Sequence, residues 1–173
     1  MSGYPWFSIV DDATIEQGDI LRNVRLFISP KTIDDDAVEV EFDWLERDVI
    51  VMSQTCDLVD GREKVPEVLL CAIWPLEELT GHLATPKGRE DARRGNLPGV
   101  HLLNACDLSG FECGPRIVDF RRCHSVSVAH FRNLAVEAGE RLRLMPPYRE
   151  HLSQAYARFF MRVGLPVDIP PFT

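Results

Sequence analysis

Residues 48–58 read Asp48-Val49-Ile50-Val51-Met52-Ser53-Gln54-Thr55-Cys56-Asp57-Leu58. The almost unbroken apolar run over 48–53 predicts a central β-strand that is buried on both faces. At its end stand five side chains that can hydrogen bond, ionise or act as nucleophiles, which are Ser53, Gln54, Thr55, Cys56 and Asp57. Loops at strand ends are where a rigid scaffold presents reactive groups, so this segment predicts a polar site beside a buried strand.

Outward from this strand, turn residues divide the chain into further short strands. One is predicted over 18–28, and the segment 38–44 alternates apolar and acidic residues as a half-exposed strand does. Additional strands are predicted over 66–75, 100–104, 116–120 and 122–126. A short helix is predicted over 76–83, and the polar stretch 87–98 is predicted to be an exposed loop.

Two further helices are predicted late in the chain. Ser127 is a candidate N-cap for a helix over 128–134. A final helix follows Pro146-Pro147 and places an apolar stripe on one face, formed by Leu152, Tyr156, Phe159 and Val163. Gly164 and Pro166 are expected to end it.

These elements define the expected fold class. With 173 residues and 45% hydrophobic content, the chain can bury a full core as one domain over 1–173. We predict a mainly β (α+β) fold, a small and strongly bent barrel of six to seven strands with a C-terminal helix. The barrel core is expected over about 16–126 and the helical C-terminal part over about 127–165.

Charge is unevenly distributed along the chain. Residues 1–60 carry 14 acidic against four basic side chains, and the remaining residues carry 15 basic against 13 acidic. The acidic first third disfavours nonspecific nucleic-acid binding by the whole surface. A local basic groove and a solvated mixed-charge surface remain the two interpretations of Arg89, Arg93, Arg94, Arg116, Arg121 and Arg122.

Location and redox state follow from what the composition lacks. No apolar run approaches the roughly 18 residues that span a bilayer, and the first residues have neither the basic nor the apolar region of a signal peptide. We expect a cytoplasmic protein with no membrane partner. The five cysteines show no paired short spacing, which favours reduced thiols over a disulfide framework.

The order of elements resembles the MazF/PemK toxin family. The likeness covers most of 18–165 in layout and is carried by Gly18-Asp19-Ile20, Arg47 before the Val-rich strand, the apolar strand over 68–74, and Arg121-Arg122-Cys123-His124. Members of that family have an SH3-like barrel and cut single-stranded messenger RNA. They pair as homodimers whose groove accepts the acidic, disordered tail of an antitoxin. The resemblance therefore implies an SH3-like barrel, a single-stranded RNA substrate, a homodimer, and an antitoxin or other protein partner.

The family's functional positions are only partly present. Arg47 matches the arginine that stabilises charge on the phosphate. The hydroxyl residue that acts beside it is replaced by Trp74, and the glycine- and proline-containing RNA loop is replaced by the acidic segment 34–39. Transfer to a 2′-hydroxyl needs a base, an acid and charge stabilisation. Either a site has been rebuilt from Ser53, Gln54, Thr55, Cys56, Asp57 and His124, or the protein no longer cuts RNA.

Each candidate residue has a plainer alternative. Cys56 and His124 could form a nucleophile and base, or a reduced thiol and an ordinary histidine. Asp57 could orient His124 or stabilise the turn at Asp60-Gly61. We expect no cofactor and no metal; the alternative is a zinc site built from Cys71, Cys106, Cys113, Cys123 and His124.

The binding residues are open to two interpretations as well. Gln54 and Thr55 could contact RNA or hydrogen bond to a neighbouring backbone. Trp44 and Trp74 could stack on a nucleobase, although tryptophan more often fills a barrel core. Arg121 and Arg122 complete the predicted RNA- or partner-binding set.

Two functions from different classes follow. The first is a toxin-like endoribonuclease in which Arg47 stabilises the phosphate, Ser53 and Cys56 belong to the site, and His124 or Asp57 carries protons. The second is a non-catalytic barrel of a toxin–antitoxin or phage-defence system that binds a protein or nucleic acid. In that second case the acidic segment 34–48 provides the contact surface.

Overall fold

A seven-stranded antiparallel sheet forms the body of the protein. The structure, a computed structural model, describes residues 4–32, 36 and 38–161. The strands are β1 (Phe7–Val10), β2 (Asp19–Ile28), β3 (Asp43–Val51), β4 (Glu67–Pro75), β5 (Val100–Leu103), β6 (Arg116–Ser127) and β7 (Arg141–Leu144). The helices are α1 (Pro86–Arg93), α2 (Val128–Ala138) and α3 (Tyr148–Phe160).

The strand order is β1-β7-β2-β3-β4-β6-β5. This confirms the prediction of a mainly β, α+β fold with six to seven strands and a C-terminal helix. The sheet is not closed, because β1 and β5 form its two edges in the described part of the chain. The strand β7 follows α2 in sequence and pairs with β1 and β2, so the later part of the chain also contributes to the sheet.

The sheet has an apolar layer on each face. Val49 and Val51 of β3 point to one side, where Phe131 of α2 covers them. Ile50 points to the other side, into a core that includes Leu152 of α3. All three β3 residues are completely buried, which confirms the prediction of a central strand drawn from the apolar run at 48–53. A smaller cluster packs α1 against β5 and β6.

Two predicted helix features are confirmed. The hydroxyl of Ser127 accepts a hydrogen bond from the backbone N–H of His130 at 3.2 Å and caps α2. In α3, Leu152, Tyr156 and Phe159 face the core as expected. Val163, Gly164 and Pro166 lie outside the described residues.

Several local predictions were wrong. The segment 87–98 is not a loop, since Pro86–Arg93 is helical and Thr85 caps it by accepting a hydrogen bond from the Gly88 N–H at 3.0 Å. The segment 76–83 forms two 3-10 turns rather than one helix. Of 38–44, only Asp43 and Trp44 belong to a strand. The two predicted strands over 116–126 are one strand with a bulge.

No helix in the described ranges is both long enough and apolar enough to cross a membrane.

A buried ion cluster joins the beginning of β2 to β7. The Asp19 carboxylate is completely buried and accepts a hydrogen bond from Arg141 Nε at 2.9 Å and from Arg143 Nη2 at 3.0 Å. Arg143 also contacts Glu16 at 2.8 Å. The strand β7 was absent from the sequence prediction because its alternate residues are arginines, which are rarely buried without such partners.

We expect Asp19→Asn to destabilise the protein strongly. The substitution removes the only completely buried carboxylate of the cluster and leaves Arg141 and Arg143 with the more exposed Asp12 and Glu16, and weakening a buried ion cluster in this way costs up to about 3–5 kcal/mol. Urea unfolding followed by circular dichroism measures the loss. Asp11→Asn is the matched control, because Asp11 is exposed and a change there is expected within about 0.5 kcal/mol. Equal unfolding free energies for the two variants would contradict the structural role of the cluster.

Candidate functional site

The strand β6 carries a three-residue bulge where it pairs with β4. Cys71 of β4 lies opposite Cys123, whereas the next residue, Ala72, lies opposite Asp119. Phe120, Arg121 and Arg122 are therefore extra residues on the β6 side. Bulges of this kind bend the strand and change the direction of its side chains, and they are frequent next to functional sites.

Contacts within the bulge hold it in place. Phe120 is buried under α3, with its ring 5.3 Å from that of Tyr156 in an edge-to-face arrangement. Its backbone N–H donates to the Gly99 carbonyl at 3.0 Å. The side chains of Arg121 and Arg122 are 60% and 54% exposed. The bulge thus anchors one aromatic ring in the core and presents two arginines to solvent.

Asp119 organises the first of these arginines. Its carboxylate accepts hydrogen bonds from Arg121 Nε at 2.7 Å, from Arg121 Nη2 at 3.1 Å and from the Arg121 backbone N–H at 3.1 Å. These bonds raise the pKa of the Arg121 guanidinium above its ordinary value. Arg121 is therefore held in one orientation, and its charge is largely neutralised. The Nε atom of Arg122 lies 3.9 Å from the same carboxylate, which is too far for a hydrogen bond.

Trp74 lies under two guanidinium groups. The Cζ atom of Arg47 is 4.3 Å from the ring centroid and that of Arg122 is 4.9 Å from it. Within the described part of the chain neither guanidinium forms a hydrogen bond, and Arg47 has only a 3.8 Å contact with Glu78. Arg47 Nε is buried without a partner. The two arginines keep N–H donors available for an anion, and the indole orients them by cation–π attraction.

Three neighbouring cavities lie beside this cluster and along β5. A cavity of about 270 Å³ is lined by Trp74, Asp119, Arg121 and Arg122. A neighbouring cavity of about 350 Å³ shares Arg121 and Val100 with it. A third cavity of about 780 Å³ shares Val100 with both. We call these three adjoining cavities the arginine groove.

The largest part of the groove is basic and aromatic. It is lined by Trp6 and Tyr148, whose rings stack at 3.7 Å, and by Arg93, Arg94, Arg158, His101 and His151. Burial, together with the nearby His151 and Arg158, lowers the pKa of His101 to about 4, so its ring is neutral at pH 7. Its Nε2 atom is buried without a hydrogen-bond partner.

The candidate residues chosen from the sequence do not include His101, His151 or Arg158. These residues come from β5 and α3, which meet only in the folded protein. The one available signal was the composition of the last helix, where basic residues lie beside an aromatic stripe.

The Ser-Gln-Thr-Cys-Asp run has a largely structural environment. The Ser53 hydroxyl accepts a hydrogen bond from the Leu69 N–H at 2.8 Å, and the Thr55 hydroxyl accepts one from the Gln17 N–H at 3.1 Å. Asp57 contacts Lys64 at 3.4 Å and the exposed Cys56 thiol at 3.5 Å. The two hydroxyls therefore fix the chain after β3.

This run does not come together with Arg47. Ser53 bonds to β4 at Leu69, whereas Arg47 lies beside Trp74 at the other end of β4. Five residues of strand, at about 3.3 Å each, separate them by roughly 16 Å. The structure therefore splits the predicted site into two groups.

His124 belongs to neither group by direct contact. It pairs with Leu70 on the side of β4 opposite to β3, so two strand spacings, about 10 Å, separate it from the Ser53 region. Burial and the nearby Arg122 lower the pKa of His124. No hydrogen bond or ion pair joins His124 to Cys56 or Asp57 among the described residues, and Asp57 contacts Lys64 instead.

Trp44 lies at the surface and not in the core, contrary to the expectation for a tryptophan in a small barrel. It is 51% exposed on the hairpin formed by β2 and β3, beside Phe27 at 65%. The Arg25 guanidinium lies 4.6 Å from its ring centroid. The acidic residues Asp34 and Asp35 lie outside the described residues.

The described ranges contain no group of three or more His, Cys, Asp or Glu side chains placed to hold a metal ion. Cys71 and Cys123 contact each other at 3.5 Å, and Cys106 pairs through its backbone with Cys113.

No protein-family model matches this chain, and a search of curated proteins finds no match either.

We expect Ser53→Ala and Thr55→Ala each to lower the free energy of unfolding by about 1 kcal/mol, because each leaves a partly buried backbone N–H without its acceptor. Gln54→Ala and Cys56→Ser are controls in the same run. Both side chains are exposed, so changes within about 0.5 kcal/mol are expected. Urea midpoints of the four variants test this, and a larger loss for the two controls would show that the run is held together differently.

Proposed function

We propose that this protein binds single-stranded RNA along the arginine groove. One observation carries the proposal: the guanidinium groups of Arg47 and Arg122 both lie over the Trp74 indole with unused N–H donors. Arginine is suited to phosphate because its planar N–H groups match the geometry of the oxygens. The contact with Trp74 orders these groups before an anion arrives.

The rest of the groove suits the bases and further phosphates of a strand. Proteins that bind single strands combine a basic groove with exposed aromatic rings on which bases stack. The stacked pair Trp6–Tyr148 supplies aromatic ring surface at this end of the groove. Arg158 adds a positive charge at this end.

The charge distribution supports a restricted binding surface. The net charge of −8 opposes nonspecific attraction of nucleic acid to the whole molecule. The β2–β3 hairpin contributes the acidic residues Asp43 and Glu46. An RNA strand is therefore favoured only where the arginines lie.

We expect Arg122→Ala to weaken binding of a fluorescein-labelled single-stranded oligoribonucleotide about tenfold or more, measured by fluorescence anisotropy. One charged hydrogen bond is worth about 1.5 kcal/mol, which corresponds to this factor. The slope of log K against log salt should also become shallower by about 0.7 for one lost phosphate contact.

Arg25→Ala is the matched control for this variant. Arg25 also lies over an indole, that of Trp44, but on the acidic hairpin. Its loss removes the same charge outside the groove, and less than a twofold change is expected. No binding by the intact protein, or equal weakening by both variants, would refute the proposal. Single-stranded DNA and duplex RNA of the same sequence serve as competitors that show whether the 2′-hydroxyl and an unpaired strand are required.

A second candidate function is cleavage of the bound RNA, favoured by the position of Glu78. Its carboxylate lies 3.8 Å from Arg47 and lines the cavity beside Trp74. A carboxylate can take the proton of a 2′-hydroxyl as the 2′-oxygen attacks the adjacent phosphorus; the bond from phosphorus to the 5′-oxygen breaks, and the 5′-oxygen takes a proton from water. Arg47 and Arg122 would stabilise the charge that develops on the phosphate oxygens. The product would be a 2′,3′-cyclic phosphate.

If cleavage occurs, Glu78→Gln should reduce its rate by at least about 100-fold, the usual contribution of a general base, while RNA affinity is retained. Gel analysis of a labelled oligoribonucleotide measures the rate. Glu77→Gln is the control, because Glu77 is exposed on the same turn and contacts neither arginine. An unchanged cleavage rate in Glu78→Gln would show that Glu78 is not the base. If the RNA remains intact after long incubation with the unsubstituted protein, binding alone is the function.

A further inference from the structure

Two cysteines face each other across the sheet directly beside the bulge. Cys71 of β4 and Cys123 of β6 are register partners, and their Sγ atoms are 3.5 Å apart. Cys71 is completely buried, whereas Cys123 is partly exposed. They form the last paired position before Phe120, Arg121 and Arg122 leave the register.

The backbone geometry at this position is compatible with a disulfide. Directly opposed residues of antiparallel strands have Cα atoms about 4.5–5.5 Å apart, which lies inside the range of about 4.4–6.8 Å found in disulfides. The Sγ atoms need to approach from 3.5 Å to the roughly 2.05 Å of a covalent S–S bond, a distance that rotation of the two side chains can supply.

The two thiols differ in reactivity. Hydrogen bonding with Cys71, 3.5 Å away, and with the Tyr156 hydroxyl, 3.7 Å away, lowers the pKa of Cys123 to about 7, whereas the protonated Cys123 thiol donates to the Phe120 carbonyl at 3.1 Å. The hydrogen bond to Cys123 and burial together raise the pKa of Cys71 well above its ordinary value. A partly exposed thiolate next to a buried thiol is the arrangement of an attacking and a resolving cysteine.

We propose that Cys71 and Cys123 are an oxidation site at which a hydroperoxide forms a reversible disulfide. The Cys123 thiolate attacks one oxygen of hydrogen peroxide, the O–O bond breaks, and the hydroxide that leaves takes up a proton to become water. The resulting sulfenic acid is attacked by the Cys71 sulfur. The S–O bond breaks as the S–S bond forms, and the departing hydroxide takes the Cys71 proton. Two thiols lose two electrons, and the peroxide becomes two molecules of water.

The bond would join β4 to β6 at the start of the bulge. It would fix the pairing next to Arg121 and Arg122 and connect the site of oxidation to the backbone that presents both arginines. Disulfide formation between Cys71 and Cys123 is independent of RNA binding, so a failure of one proposal does not affect the other.

The test uses the full chain carrying Cys56→Ser, which removes the exposed thiol that could cross-link two molecules. The folded protein is treated with hydrogen peroxide, the remaining thiols are alkylated after denaturation, and peptides are identified by mass spectrometry. We expect a disulfide between the peptides that contain Cys71 and Cys123, reversed by dithiothreitol. The rate of its formation should rise as pH increases through about 7, because the Cys123 thiolate becomes more abundant.

Two variants and one control separate the proposal from nonspecific oxidation. In Cys71→Ser, dimedone should label a sulfenic acid on Cys123, since no resolving thiol remains. In Cys123→Ser, burial should protect Cys71 from peroxide. Cys71 should therefore remain a thiol and be alkylated once the protein is denatured. Circular dichroism verifies that each variant is folded. Full alkylation of both cysteines in peroxide-treated protein, or the same disulfide yield in protein treated in urea, would overturn the inference.

Discussion

The pairing of β4 with β6 is the constraint on which the arrangement of this molecule depends. It is in register from Glu67 to Cys71, is interrupted by three extra residues, and resumes at Ala72. The interruption buries Phe120 beneath α3 and turns Arg121 and Arg122 outward. A strand without the bulge would alternate these side chains between the faces. The core packing of one aromatic ring and the exposure of two arginines therefore have the same backbone cause.

A second constraint acts at the other side of the sheet. Asp19 is buried against Arg141 and Arg143, and this attachment keeps β7 between β1 and β2. Charged groups removed from water need partners with good geometry, which the carboxylate and the two guanidinium groups provide for each other. The cluster also shows how the protein uses its arginines: those on β7 are neutralised inside, whereas Arg122 remains available at the surface.

Two groups of polar side chains differ in their hydrogen bonding, and this difference identifies the candidate site. One group hydrogen bonds to the backbone, and the other has donors without a partner. In the Ser-Gln-Thr-Cys-Asp run, Ser53 and Thr55 accept backbone hydrogen bonds, which explains their position after a buried strand without invoking catalysis. Around Trp74 the reverse holds, because Arg47 and Arg122 are ordered by an aromatic ring and still have free donors. Groups that are ordered and unsatisfied are ready to bind a ligand, since little conformational entropy remains to be lost.

The sequence by itself determined the class of the fold, because alternation and apolar runs depend only on neighbouring residues. The buried strand at Val49–Val51, the Ser127 cap and the stripe of α3 were all readable in this way. It also suggested Trp74, Arg121 and Arg122 as candidate binding residues, and the family resemblance suggested Arg47 as a candidate catalytic residue. Only the tertiary structure decided which of them meet, because the register of β4 with β6 and its bulge set those distances. The same long-range pairing separated Cys56 and Asp57 from Arg47 and placed Cys123 against Cys71, since contacts between residues distant in sequence depend on strand order and register rather than on local pattern.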